Sequence, residues 1–156
     1  MSVFYTGIGS RETPRHICIY MSKVAKILDK RGYILRSGGA QGADKAFQSS
    51  ATNPIIYRGN SHIPQWAFNE AKKYLPTHAN WSIWNDYTKK LVARNMMLVL
   101  GKDGKTPSDF VLCWSSDITR GGTGYGVRCA MEHDILVYNF YYEIDINDFN
   151  FTFDIK

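Results

Sequence analysis

Glycine gathers in three short runs: Gly7-Ile8-Gly9-Ser10, Ser37-Gly38-Gly39-Ala40-Gln41-Gly42 and Gly121-Gly122-Thr123-Gly124. Each stands at or near the point where an apolar segment gives way to an amphipathic one. Without a side chain the backbone can approach an anion closely, and a following helix adds unpaired N–H groups and the positive end of its dipole. The chemistry on offer is a phosphate cradle. One such turn is equally the small-residue connection that any α/β protein needs. Three converging on one sheet edge point more firmly to a ligand. None ends in the Lys-Ser/Thr of a phosphate loop and none completes G-x-G-x-x-G, which excludes an ordinary P-loop NTPase or dinucleotide dehydrogenase.

Side chains near these runs extend the reading. Arg11 follows the first turn and could fork onto a phosphate, or simply carry a solvated charge at a helix start. Asp44 opens the second helix, where it caps the helix or accepts from a ribose hydroxyl. Arg94 and Asn95 interrupt an otherwise apolar helix, and a buried arginine needs an anion. Trp66 and Asn69 could stack on and hydrogen-bond a base, although core packing is the plainer role for Trp66; Trp114 is equally ambiguous. Cys129 and His133 share a helical face, but no second pair completes a metal site, so neither a metal nor a cofactor is expected. Cys18, Cys113 and Cys129 sit singly in apolar segments and read as free thiols.

The elements that position these residues alternate. Strands are expected at Ser2–Thr6, Tyr33–Arg36, Pro54–Tyr57, Phe110–Trp114 and Ile135–Phe140. Between them lie a helix opened by Pro14 and ended by Gly32, then helices over Gln41–Ser50, Pro64–Tyr74, Tyr87–Leu100 and Gly126–His133. The irregular stretch Asn60–Asp86, with Trp66, Phe68, Trp81 and Trp84, is expected to fold over one sheet edge. The fold class is therefore α/β, a Rossmann-like three-layer sandwich with a mainly parallel sheet of about five strands in the order 3-2-1-4-5. In the tail 141–156, Phe149, Phe151 and Phe153 alternate in period two. That suggests an edge strand, which would invite dimerisation, or a contact for a partner.

With 156 residues the chain is expected to form one domain, 1–156. The formal net charge is +5, from 19 Lys and Arg against 14 Asp and Glu. Four of those acids (Glu143, Asp145, Asp148, Asp154) lie in the tail, leaving 18 bases against 10 acids in the first 140 residues. That modest basic bias suits anionic partners. No apolar run is long enough to cross a membrane and no leader pattern opens the chain, so a cytoplasmic protein is expected.

Taken in order, Gly7-Ile8-Gly9-Ser10-Arg11, Ser37-Gly38-Gly39-Ala40-Gln41-Gly42-Ala43-Asp44, Arg94-Asn95 and Gly121-Gly122-Thr123-Gly124 resemble the SLOG superfamily. That superfamily joins the Rossmann-like domain of DprA proteins to the LOG nucleotide phosphoribohydrolases. The similarity runs over about Phe4–Asn139 and is nearest to DprA-like proteins of phage genomes, which would place the chain in a host cytoplasm. The DprA motif Ser-Gly-x-Ala-x-Gly-Ile-Asp is matched from Ser37 to Asp44 except that Ala43 replaces Ile. The helical and winged-helix-like domains that flank many DprA domains are not expected in these residues.

The glycine turns are expected to hold a nucleotide, a nucleotide-derived signal or the phosphates of a short single strand; the resemblance implies single-stranded DNA binding as a recombination mediator working with a strand-exchange protein, and a homo-oligomer is expected. Gly7, Gly9, Ser10, Arg11, Ser37, Gly38, Gly39, Asp44, Arg94, Asn95, Gly121, Gly122, Thr123, Gly124 and Arg128 are the expected binding residues. A LOG-type N-glycosidic hydrolase is the alternative, but Arg128 stands where LOG enzymes carry a glutamate. An arginine there opposes an oxocarbenium-like centre and favours holding a phosphate. Asp44 and Glu132 are the remaining candidate catalytic carboxylates. Binding is thus favoured over catalysis, with sequestration of a defence nucleotide by a phage protein as a third reading.

Overall fold

The structure is a computed structural model, and it describes residues 2–156. Five strands, β1 (Val3–Gly9), β2 (Tyr33–Ser37), β3 (Ile55–Ile56), β4 (Phe110–Trp114) and β5 (Leu136–Asn139), form one sheet in the order β3-β2-β1-β4-β5. Every pairing is parallel. The strands of a parallel sheet are covered on both faces, and Phe110–Cys113 of β4 is accordingly buried throughout.

Alternation along the strands sends side chains to two cores. Tyr5, Leu35, Phe110 and Leu112 face Ile17, Met21, Val24 and Leu28 of α1 (Arg15–Lys30) and Phe47 of α2 (Ala43–Gln48). Ile8, Val111 and Cys113 face the other side, where α3 (Gln65–Lys72), α4 (Asp86–Leu100) and α5 (Gly121–Glu132) pack with Met96, Val99, Val127 and Ala130 inside. The aromatic stretch ahead of α4 joins this second core: α3 lies against α4, and Trp81 and Trp84 pack beside it.

Two sequence expectations are corrected. The third glycine run does not precede its helix but forms its first turn, since α5 begins at Gly121 with a backbone φ of +75° there. The tail is not an edge strand. Glu143–Thr152 is a helix, α6, with Glu143 and Asp145 in its first turn, where acids complement the dipole. Helical spacing puts Phe149 and Phe153 on one face, with ring centroids 4.5 Å apart, and turns Phe151 outward at 88% exposure. Phe149 is fully buried against Phe110, Tyr138 and Phe140. The route to dimerisation through a tail strand is thereby removed.

Candidate functional site

Because the sheet is parallel, the ends of β1, β2, β3 and β4 lie on one edge, and a broken groove runs along it. One hollow of about 510 Å³ is lined by Arg11, Gly38, Gly39, Arg58, Tyr87 and Arg94 among others. A second, of about 190 Å³, shares Arg11, Ala40, Leu91 and Arg94 with it and adds Gly9, Asp44, Asn95, Gly122 and Thr123. A third, of about 230 Å³, shares Gly122 and Thr123 with the second and adds Ser10, Glu12, Asp117 and Gly121. The first glycine run is no turn, since β1 continues through Gly9, but its end therefore meets the other two glycine runs in one groove.

Arg94 and Asn95 hold the turns in place. Both are buried. Arg94 Nη1 donates to the carbonyls of Gly38 (2.9 Å) and Tyr57 (2.8 Å), and its Nε donates to Asn95 Oδ1 (2.9 Å). Asn95 Nδ2 in turn donates to the Gly122 carbonyl at 2.7 Å. One side-chain pair on α4 thus ties the end of β2, the end of β3 and the start of α5 together. The buried arginine, expected to require an anion, is met largely by carbonyls; its Nη2 has no hydrogen-bond partner among the described residues.

Asp44 faces the same turn. Its Oδ2 accepts from the Ala40 N–H at 3.2 Å. Burial raises its carboxyl from the ordinary range to about 6, opposed by the Ala40 N–H and by the charge of Arg94. Burial likewise lowers the Arg94 guanidinium, opposed by Asp44. A Cβ at position 38 would stand 2.7 Å from Arg94 Nη1 and 2.9 Å from Asp44 Oδ2, so only glycine lets the pair close over the turn.

Other expected residues are structural. Ser37 Oγ is fully buried and donates to the Gly7 carbonyl at 2.6 Å, tying β2 to β1. A Cβ on Gly7 would lie 2.7 Å from the Phe47 ring, and one on Gly9 would lie 2.5 Å from Ala43 Cβ. Both glycines admit α2 to the sheet, and Gly9 also lines the groove. Gly124 is buried against the Ile118 carbonyl within α5.

Five residues stand away from the groove. Arg128 Nη1 donates to the Ile118 carbonyl and Nη2 to that of Tyr74 (3.1 Å), while the guanidinium covers the Tyr125 ring. Counting from Thr123 at 100° per residue, Arg128 is turned about 140° from the groove-facing side of α5. Glu132 ends that helix, about 16 Å from Gly121 at 1.5 Å per residue. Trp66 packs on Gly104 and donates from Nε1 to the Lys102 carbonyl at 3.2 Å. Asn69 accepts from Gln65 Nε2 at 3.1 Å. Trp114 opens into a separate hollow with Pro14, His16 and Tyr141.

Sequence reasoning passed over Arg58 and Tyr87. Arg58 follows β3 and leans on the second turn, its Nη1 lying 3.4 Å from the Gly39 carbonyl. Tyr87 starts α4 and is 62% exposed at the groove mouth. The signal was available for Arg58, because the end of β3 must share the edge with the ends of β1, β2 and β4. Among the described residues neither Arg11 nor Arg58 forms a salt bridge.

This arrangement of strands is found in a known protein. A solved structure of DNA processing protein A (DprA) from Helicobacter pylori, described for its single-stranded DNA binding mode, superposes with a TM-score of 0.59 at 17% sequence identity. The match covers 86% of this chain and 63% of that one, so the shared part is somewhat less than two thirds of the DprA chain. The chain thus has a DprA-like, Rossmann-like fold. No protein-family model and no curated protein matches the chain. No helix among the described residues is long and apolar enough to cross a membrane.

Proposed function

We propose that this protein binds the phosphates of single-stranded nucleic acid along the groove at the carboxyl edge of its sheet, as a binding module without a catalytic step. The observation that carries this reading is the groove itself, three connected hollows with Arg11 and Arg58 unpaired by any carboxylate. A series of open hollows suits a strand of successive phosphates better than one enclosed mononucleotide. Tyr87 at the mouth offers a ring on which a base can stack, the usual partner of a basic track in single-strand binding. The fold shared with DprA, whose H. pylori representative binds single-stranded DNA, supports the same ligand class.

Hydrolysis is less well supported. Of the two candidate carboxylates only Asp44 reaches the edge, and it is engaged with the Ala40 N–H and buried beside Arg94. The test is fluorescence anisotropy of a labelled oligothymidylate with wild type and an Arg11→Ala/Arg58→Ala double variant. Both residues are exposed, so folding is expected to survive. The double variant is expected to bind at least about tenfold more weakly, as each lost charge-assisted bond contributes roughly 1.5–3 kcal/mol. Unchanged affinity in the double variant sinks the groove as the binding site.

A further inference from the structure

The sequence offers Cys129 on α5 and His133 at its C-terminal cap, one turn apart, with no third donor, yet folding brings one. Glu70, from α3, places Oε2 2.9 Å from His133 Nε2. One ligand atom each from Glu70, Cys129 and His133 lies within 4.8 Å of the others. We propose that these three side chains form a binding site for one divalent transition-metal ion of the zinc class, linking α3 to α5.

The donor set and its spacing support this. With zinc bonds of about 2.0–2.3 Å to oxygen, nitrogen and sulfur, tetrahedral donors lie about 3.5 Å apart, a modest rearrangement from the present positions. One thiolate, one imidazole and one carboxylate suit zinc or its neighbours and not magnesium or calcium, which take oxygen ligands. Glu70 and Cys129 are buried, whereas the His133 side chain is 39% exposed, which gives the ion an entry path and leaves a fourth position to solvent.

The surroundings are built to orient the carboxylate. Tyr74 donates its hydroxyl to Glu70 Oε2 at 2.6 Å, the kind of outer hydrogen bond that fixes a ligand. Lys73 Nζ also reaches the carboxylate, at Oε1, so Glu70 is held from both oxygens. Lys73 Nζ, 3.1 Å from Oε1, is the cation that an incoming ion would displace; its side chain is 63% exposed and can swing into water. Binding breaks the Cys129 S–H bond, forms a metal–sulfur bond and releases one proton to solvent. No redox partner is involved.

The location gives the site a structural role. α3 and α5 flank α4, the helix that carries Arg94 and Asn95, and the cluster lies towards the C-terminal end of α5, opposite the groove. An ion here fixes the frame around α4 without touching the groove, so metal and oligonucleotide are expected to bind together.

Titration of chelator-treated protein with Co²⁺ tests the site. One ion per chain is expected, with a thiolate-to-cobalt charge-transfer band and four-coordinate visible bands, all removed by Zn²⁺. Cys129→Ser is expected to abolish the charge-transfer band. Because Cys129 is buried and its replacement could impair folding, exposed His133→Ala serves as the second variant, with cobalt affinity at least about tenfold weaker. A wild-type protein that shows no charge-transfer band overturns the site, as does a His133→Ala variant that binds cobalt unchanged.

Discussion

Asp44 and Asn95 show how one side chain shapes a turn that other residues would use. Asp44 has a folded-state carboxyl raised to about 6, well above its unfolded value near 3.9. A raised acid favours the protonated folded state, so its ionisation destabilises the fold as pH climbs from about 4 through 6. Asp44→Asn keeps the shape and an acceptor for the Ala40 N–H while removing that penalty. The variant is expected to gain on wild type by up to about 3 kcal/mol between pH 4 and pH 8, from roughly two pKa units at 1.36 kcal/mol each. Urea denaturation at the two pH values checks it; a stability difference that does not change with pH contradicts it. Asn95→Ala leaves the Gly122 carbonyl and Arg94 Nε without their partner. A loss of about 1–3 kcal/mol is expected, together with weaker oligonucleotide binding although Asn95 chiefly holds the turns.

Helix phase decides what the elements present, and here the sequence was readable to different depths. The order of strands and the convergence of the glycine runs were legible because parallel β/α alternation has few allowed topologies. The orientation of Arg128 was not, because it depends on α5 starting at Gly121, five residues before the expected start. Arg58 was legible in principle, from the position of β3 alone. Trp66 and Asn69 could not be placed, since α3 turns them toward the 102–104 loop and toward Gln65. In the tail, period two in phenylalanine suggested a strand, and tertiary packing with the acidic first turn won as a helix. That difference has a direct consequence. Phe149→Ala is expected to cost about 3–5 kcal/mol by opening a cavity, and Phe151→Ala to stay within about 0.5 kcal/mol of wild type. Thermal or urea unfolding of the two variants distinguishes helix from strand, because a strand would bury both rings on one face.

Two of the molecule's unpaired cations, Arg11 and Arg58, stand where its backbone turns converge. The net charge of +5 is too small to bind polyanions without such placement. Arg11 and Arg58 at the first hollow, with Arg94 beneath them, concentrate positive charge on one edge of the sheet. A strand that engages Arg11 and Arg58 releases the counterions of about two phosphates, which gives a salt slope of about −1.4 for single-stranded DNA. The most direct measurement is an anisotropy titration of oligothymidylates of increasing length, repeated across salt concentrations and with thymidine monophosphate as competitor. Affinity is expected to rise with length until the groove is filled, to fall with salt at about that slope, and to be barely challenged by the mononucleotide. Length-independent binding that the mononucleotide displaces at comparable concentration would contradict it, and would make the groove a mononucleotide site.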